Sequence, residues 1–99
     1  MSAQFRFKDK LWRYSGEAAW HFVTLPKTIA GELRALTTGM RNAFGTVRVI
    51  ATIGKTTWRT SVFADTKAGS FLLPVKADVR KCEKISHGDS VNVTLEIDL

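Results

Sequence analysis

The chain has a single cysteine, two prolines, two histidines and no apolar run near the ~20 residues needed to cross a bilayer. With no second thiol, Cys82 has no internal disulfide partner, which points to a reducing compartment. The amino terminus, Met1-Ser2-Ala3-Gln4-Phe5-Arg6, has no apolar signal core, so a soluble cytoplasmic protein is expected and a membrane is not. Neither His21 nor His87 has Cys or carboxylate neighbours at metal-ligand spacing, and each is expected to be structural or on the surface. Phosphate-loop, dinucleotide-glycine and nucleophile-elbow patterns are absent as well. These absences argue against an enzyme, and no cofactor or metal is expected.

What is present is a globular composition. The chain is 99 residues long, 44% hydrophobic and 10% aromatic, which suits one compact domain over residues 1–99. Fifteen Lys and Arg against nine Asp and Glu give a net charge of +6. Such a balance suits nucleic acid or anionic ligands, although the basic residues are not gathered into one block, and solubility alone explains them on residue grounds.

The strongest pattern is a unit written twice. Trp20-His21-Phe22-Val23-Thr24-Leu25-Pro26 leads through a helical segment to Gly45-Thr46-Val47-Arg48-Val49. Ser70-Phe71-Leu72-Leu73-Pro74 leads through a second helical segment to Gly88-Asp89-Ser90-Val91-Asn92-Val93. Each reads as an apolar strand closed by Pro, a helix, and a Gly that opens a Val-x-Val strand. The halves, about 19–53 and 70–99, are expected to be related by a pseudo-two-fold axis.

Alternation supplies the strands: Gln4–Tyr14, Ala19–Leu25, Gly45–Ile53, Thr57–Phe63, Ser70–Val75 and a last strand with Val91, Val93, Leu95, Ile97 and Leu99 inward. Gly54-Lys55 reads as a hairpin turn, and Ala64–Gly69 as a loop. Ile29, Leu33, Leu36 and Met40 recur at helical spacing from Lys27 onward, with Gly39 as the cap. A shorter helix covers Ala77–Lys84, in which Val79, Cys82 and Ile85 mark an apolar face and make Cys82 a buried residue. The expected fold is mostly β with two short helices, closed into a small barrel that leaves no open edge.

Two groups of residues carry functional readings. Trp58, Arg59 and Ser61 on one strand, with Lys76 and Arg80 four apart on the second helix, offer guanidinium and ammonium donors for a small anionic ligand. The plainer alternative has Trp58 in the core, with Arg59 and Arg80 lying over it or paired with Asp89 or Glu83. The stripe Arg6, Lys8, Lys10 with Arg48 offers phosphate contacts for weak nucleic-acid binding, and Trp12 or Tyr14 offers a base-stacking ring. An outward strand kept soluble by Lys explains that stripe without a ligand.

Four ordered blocks carry a resemblance over nearly the whole chain. They are Ala19-Trp20-x-Phe22-Val23-x-Leu25-Pro26, Thr57-Trp58-x-Thr60-Ser61-x-Phe63, Leu73-Pro74-Val75-Lys76-x-x-Val79-Arg80 and Gly88-Asp89-x-Val91-x-Val93. The set resembles a small prokaryotic domain-of-unknown-function family found alone or fused ahead of YdeI/OmpD-associated, bacteriocin-protection-type domains. The resemblance implies a double-split β-barrel related in shape to the AbrB, MazE and MraZ barrels. It implies no catalytic residue. The leading expectation is a non-enzymatic binding or interaction module, with a protein or a small anion as partner. The alternatives are an AbrB-like, weak nucleic-acid binder and a small anionic-ligand-binding barrel.

Overall fold

The computed structural model describes residues 4–16, 19–37 and 45–98. Six strands and two helices follow in order: β1 (Gln4–Arg13), β2 (His21–Thr24), α1 (Lys27–Leu36), β3 (Thr46–Ile53), β4 (Thr56–Asp65), β5 (Ser70–Pro74), α2 (Ala77–Glu83) and β6 (Ser90–Ile97). The strands close into an antiparallel barrel in the order β1-β2-β5-β4-β3-β6. Met40, Gly39 and Leu99, to which the sequence assigned a helix face, a cap and a core position, lie outside the described residues.

The two longest strands, β1 and β4, divide their length between their two neighbours in succession. β1 pairs with β6 from Gln4 opposite Glu96 to Lys10 opposite Ser90, then with β2 from Leu11 opposite Val23 to Arg13 opposite His21. β4 pairs with β3 from Thr56 opposite Ile53 to Phe63 opposite Thr46, then with β5 from Phe63 opposite Leu72 to Asp65 opposite Ser70. The remaining seams are β2 with β5 and β3 with β6.

Alternating side chains fill the interior. Val47, Val49, Ala51 and Ile53 of β3 face Val91, Val93, Leu95 and Ile97 of β6, with Phe5, Leu11, Val23, Val62, Phe71 and Leu73 completing the core. Burying one such aliphatic side chain contributes roughly 1.5–3 kcal/mol, and only period-2 alternation delivers so many of them to one side of a pleated sheet. Ser70, buried beside Phe71, meets its polar requirement by donating from Oγ to the Leu25 carbonyl at 2.6 Å. That bond ties the start of β5 to the end of β2.

The structure corrects several expectations. β4 runs to Asp65, so Ala64 and Asp65 belong to the strand, and only Thr66–Gly69 turn. Their inclusion follows from the partner change, since Ala64 and Asp65 pair with β5 rather than β3. α1 buries Ala30 and Leu33, with Thr37 buried just beyond its end, while Leu36 is 52% exposed. The apolar face is therefore Ala30-Leu33-Thr37, one position round from the Leu36 side. Thr37 Oγ1 donates to the Leu33 carbonyl at 2.7 Å, which makes its burial tolerable.

Cys82 is exposed, not buried. α2 is seven residues long and turns Val79 inward. The residue one full turn after Val79 is Glu83, and it takes the inward-facing role that the spacing assigned to Cys82. Glu83 Oε2 accepts a 2.6 Å hydrogen bond from Thr56 Oγ1, tethering α2 to the β3–β4 hairpin. Gly54 in that hairpin has φ +59°, and a side chain there would collide with the Glu83 carboxylate. Among the described residues no helix is long and apolar enough to span a membrane.

Candidate functional site

The two inner neighbours β2 and β5 end in the same way, with a buried Leu followed by Pro and a helix. At the β5 end, Val75 still donates its N–H to the His21 carbonyl at 2.9 Å, so the chain stays extended for two residues past Pro74. α2 therefore starts from Lys76, which is extended at φ −68° and ψ 161°. This delay leaves a gap between α2, β4 and the segment that enters β2. The gap is a cleft of about 570 Å³, lined by Ala19, Trp20, His21, Trp58, Arg59, Thr60, Phe63, Pro74, Val75, Lys76, Ala77 and Arg80. Its volume falls within the roughly 300–1,000 Å³ common for small-ligand sites.

Four of the five residues proposed from the sequence for a ligand line this cleft: Trp58, Arg59, Lys76 and Arg80. Ser61 does not. It stands opposite Arg48 on β4, between Arg59 and Phe63 by alternation, but is not among the lining residues. Trp58 is only 8% exposed, so it is a core residue whose edge reaches the cleft, and the two readings of it are compatible. Neither Arg59 nor Arg80 has the acidic partner that spacing suggested. Arg80 Nε donates to the Val75 carbonyl at 3.2 Å, which fixes the guanidinium near its own helix start and leaves its two terminal nitrogens outside that bond. Arg59 lies 3.9 Å from Asp98, with 74% of its side chain exposed, a loose pair that contributes little. Asp89 and Glu83 are engaged elsewhere, with Ser86 and Thr56.

Eight further lining residues were not singled out for a ligand by the sequence, among them His21, Trp20 and Phe63. The described parity of β2 puts His21 inward with Val23 and Leu25, 8% exposed. Its Nδ1 lies 2.9 Å from the Ala19 carbonyl. A carbonyl only accepts, so Nδ1 carries the proton and Nε2 remains the second polar atom of the ring.

Beside the cleft, register assembles an aromatic surface on the outside of the barrel. Trp12 stands opposite Phe22, Phe22 opposite Pro74, and Leu72 opposite Phe63. Phe22 is the hub: the Trp12, Trp20 and Tyr14 rings lie 5.2, 6.0 and 6.4 Å from it. Trp12 is locked by a 2.9 Å hydrogen bond from its Nε1 to Thr24 Oγ1. A groove of about 340 Å³ runs along Tyr14, Trp20, Phe22, Phe63 and Leu72, and it shares Trp20 and Phe63 with the basic cleft. The legible signal was that outward strand positions, which favour polar residues, hold aromatics at Trp12, Tyr14 and Phe63.

The nucleic-acid candidates are only partly gathered. Arg6, Lys8 and Lys10 stand outward along β1, opposite Thr94, Asn92 and Ser90. Arg48 is far along the neighbouring strand, where its carbonyl accepts from the Asp98 N–H at 3.0 Å. From Thr94, opposite Arg6, to Asp98 is about 13 Å at ~3.3 Å per residue, with Glu96 between, and Arg48 itself lies on β3, one strand beyond β6. Among the described residues no three His, Cys, Asp or Glu side chains gather so as to hold a metal ion.

The sequence model of the family described as Domain of unknown function (DUF1905) matches residues 7–95, and the chain belongs to that family. No curated protein matches it.

Proposed function

We propose that this chain is a non-enzymatic binding module that captures a small anionic ligand in the cleft between β4 and α2. The observation that carries this reading is the lining: Arg59, Lys76 and Arg80 border one cavity of about 570 Å³, and no described acidic side chain lines it. Three cations beside apolar walls attract an anion and raise its effective interaction by excluding water. The lining offers donors and rings, the makeup of a recognition site. The dispersal of Arg48 from the Arg6–Lys10 stripe supports ranking nucleic-acid binding below it.

The same proposal includes a duplicated, double-split architecture of the kind seen in AbrB-type barrels. Exchanging β1 with β4, β2 with β5 and β3 with β6 returns the same cyclic strand order. The exchange also respects register: Phe5 opposite Leu95 becomes Trp58 opposite Ala51, and Leu11 opposite Val23 becomes Ala64 opposite Phe71. An axis through the Thr24–Leu72 and Ala51–Leu95 pairs satisfies these relations. Fusion ahead of a bacteriocin-protection-type domain would make the module a ligand-responsive appendage. An exposed, lone Cys82 favours a reducing, cytoplasmic setting.

Thermal melts with acetate, phosphate and pyrophosphate test the anion reading, because a ligand that binds only the native state raises Tm with its concentration. Wild type is expected to shift by a few degrees with at least one anion, and Lys76→Ala and Arg80→Ala to lose most of that shift. Equal shifts in wild type and both variants would reject the cleft as the site.

A further inference from the structure

We infer that the ligand is a planar aromatic anion, its ring seated on the Trp20–Phe63 surface and its anionic group held by Arg80 and Lys76. This rests on the cleft being an anion site and goes further by naming what the rest of the ligand must be. The basic cleft and the aromatic groove adjoin at Trp20 and Phe63, which line both. An anion held at the basic end can direct its remainder along these rings, which border the cleft.

The aromatic end is built, not incidental. Trp20 and Phe63 are 52% and 39% exposed, and with the neighbouring Tyr14, also 52% exposed, they leave an apolar ring surface open on one side of the barrel. The Trp20 ring lies nearly parallel to Phe22, with an interplanar angle of 11° and centroids 6.0 Å apart. Phe22 thus backs one side of the indole, and the exposed remainder is available to a second ring. Phe22 is in turn held by Trp12, which its bond to Thr24 keeps in place. A platform held this way loses little freedom when a ligand stacks on it. Aromatic faces also favour flat, electron-poor or heteroaromatic rings over saturated ones of equal size.

The charges select the other end. The groove residues Tyr14, Trp20, Phe22, Phe63 and Leu72 carry no charge, whereas the cleft adds Arg59, Lys76 and Arg80. Asp98, 3.9 Å from Arg59, is the described carboxylate that competes for that guanidinium, which leaves Lys76 and Arg80 as the principal anchors. An aromatic carboxylate and a mononucleotide share the required chemistry of a planar ring with an anion one short linker away.

Titration calorimetry on the full chain with 2-naphthoate, its saturated decalin-2-carboxylate counterpart, neutral 2-naphthamide, and AMP tests this. Naphthoate or AMP is expected to bind at least tenfold more tightly than the saturated acid and the neutral amide. Trp20→Ala, at a half-exposed position, is expected to melt near wild type yet shrink the aromatic-over-saturated preference to twofold or less, with Trp20→Phe restoring it. Preference for AMP assigns a nucleotide source, and preference for naphthoate an aromatic acid. If the saturated acid binds as well as naphthoate, and both depend on Arg80, the aromatic inference falls while the anion reading stands. If naphthamide binds as well as naphthoate, both fall. Affinity that climbs with oligothymidylate length would overturn the small ligand in favour of a polynucleotide.

Discussion

The two strand–Pro–helix segments begin alike and end differently. Leu25-Pro26 and Leu73-Pro74 both deliver a buried Leu to the core and a Pro to the strand end. Pro26 is itself the N-cap of α1, whose first helical bond runs from the Ala30 N–H to the Pro26 carbonyl at 2.9 Å. In the second segment the chain runs on through Val75 before Lys76 takes the cap position, and the equivalent bond runs from Arg80 to Lys76 at 3.1 Å. Counted from their caps, Arg80 therefore stands where α1 has the fully buried Ala30. One helix seals its end of the barrel with Ala30, Leu33 and an Arg34 guanidinium 5.7 Å from the Phe71 ring centre. The other buries only Val79 and leaves basic side chains around an opening. A shift of two residues in where a helix starts turns a lid into a cleft.

The largest expected effect tests the lid. Leu33→Ala removes a fully buried side chain of α1 and is expected to cost about 3 kcal/mol in urea unfolding. Val79→Ala removes fewer methyls from a helix with one buried residue and is expected to cost about half as much. A larger loss at Val79 than at Leu33 would reverse the assignment of lid and opening.

Next comes the tether that keeps α2 where the cleft needs it. Gly54→Ala combines a strained φ with displacement of Glu83 and is expected to cost about 2 kcal/mol. In a Thr56→Val background, where the Glu83 hydrogen bond is already gone, the loss should be smaller. Equal losses in the two backgrounds would show that Gly54 matters for its turn alone.

Gly31 sharpens the contrast from the other side. A methyl placed there meets nothing within 4 Å, so Gly31→Ala is expected to stabilise α1 by about 1 kcal/mol and leave anion binding at the α2 cleft unchanged. The smallest effect is expected at Cys82. Because it is exposed, Cys82→Ser should change stability by less than about 0.5 kcal/mol, and a loss several times that would return it to the core.

Much of the barrel was legible because period-2 alternation is a local property. The interior sets of β3 and β6 can be read off Val47-Val49-Ala51-Ile53 and Val91-Val93-Leu95-Ile97 without knowing what they touch. The helices were less legible. Ile29, Leu33 and Leu36 fit an apolar stripe, and only packing decided that Ala30 is buried, Ile29 partly so, and Leu36 faces out. Helical spacing likewise offered Cys82 for the core, but in a seven-residue helix the inward direction is set by Val79 and by the Thr56 bond to Glu83.

The site divides in the same manner. Trp58, Arg59, Lys76 and Arg80 stood out by residue type, since guanidinium, ammonium and indole groups carry recognisable chemistry wherever they fall. Ser61 looked equally suitable, yet it is absent from the lining although Arg59 and Phe63 on either side of it are present. Trp20, His21 and Phe63 looked ordinary because no local pattern places them beside Lys76 and Arg80 in one cleft. Composition and alternation by themselves determined a small β-rich domain with two strand–Pro–helix segments and a surplus of basic groups. Tertiary structure alone decided which of those groups meet: β1 and β4 each change neighbours part-way along, and the resulting register brings Trp12, Phe22, Pro74, Leu72 and Phe63 into adjacent outward positions across four strands. Alternation tells a residue which side of the sheet it occupies, whereas register, set by closure of the whole barrel, tells it whom it stands beside.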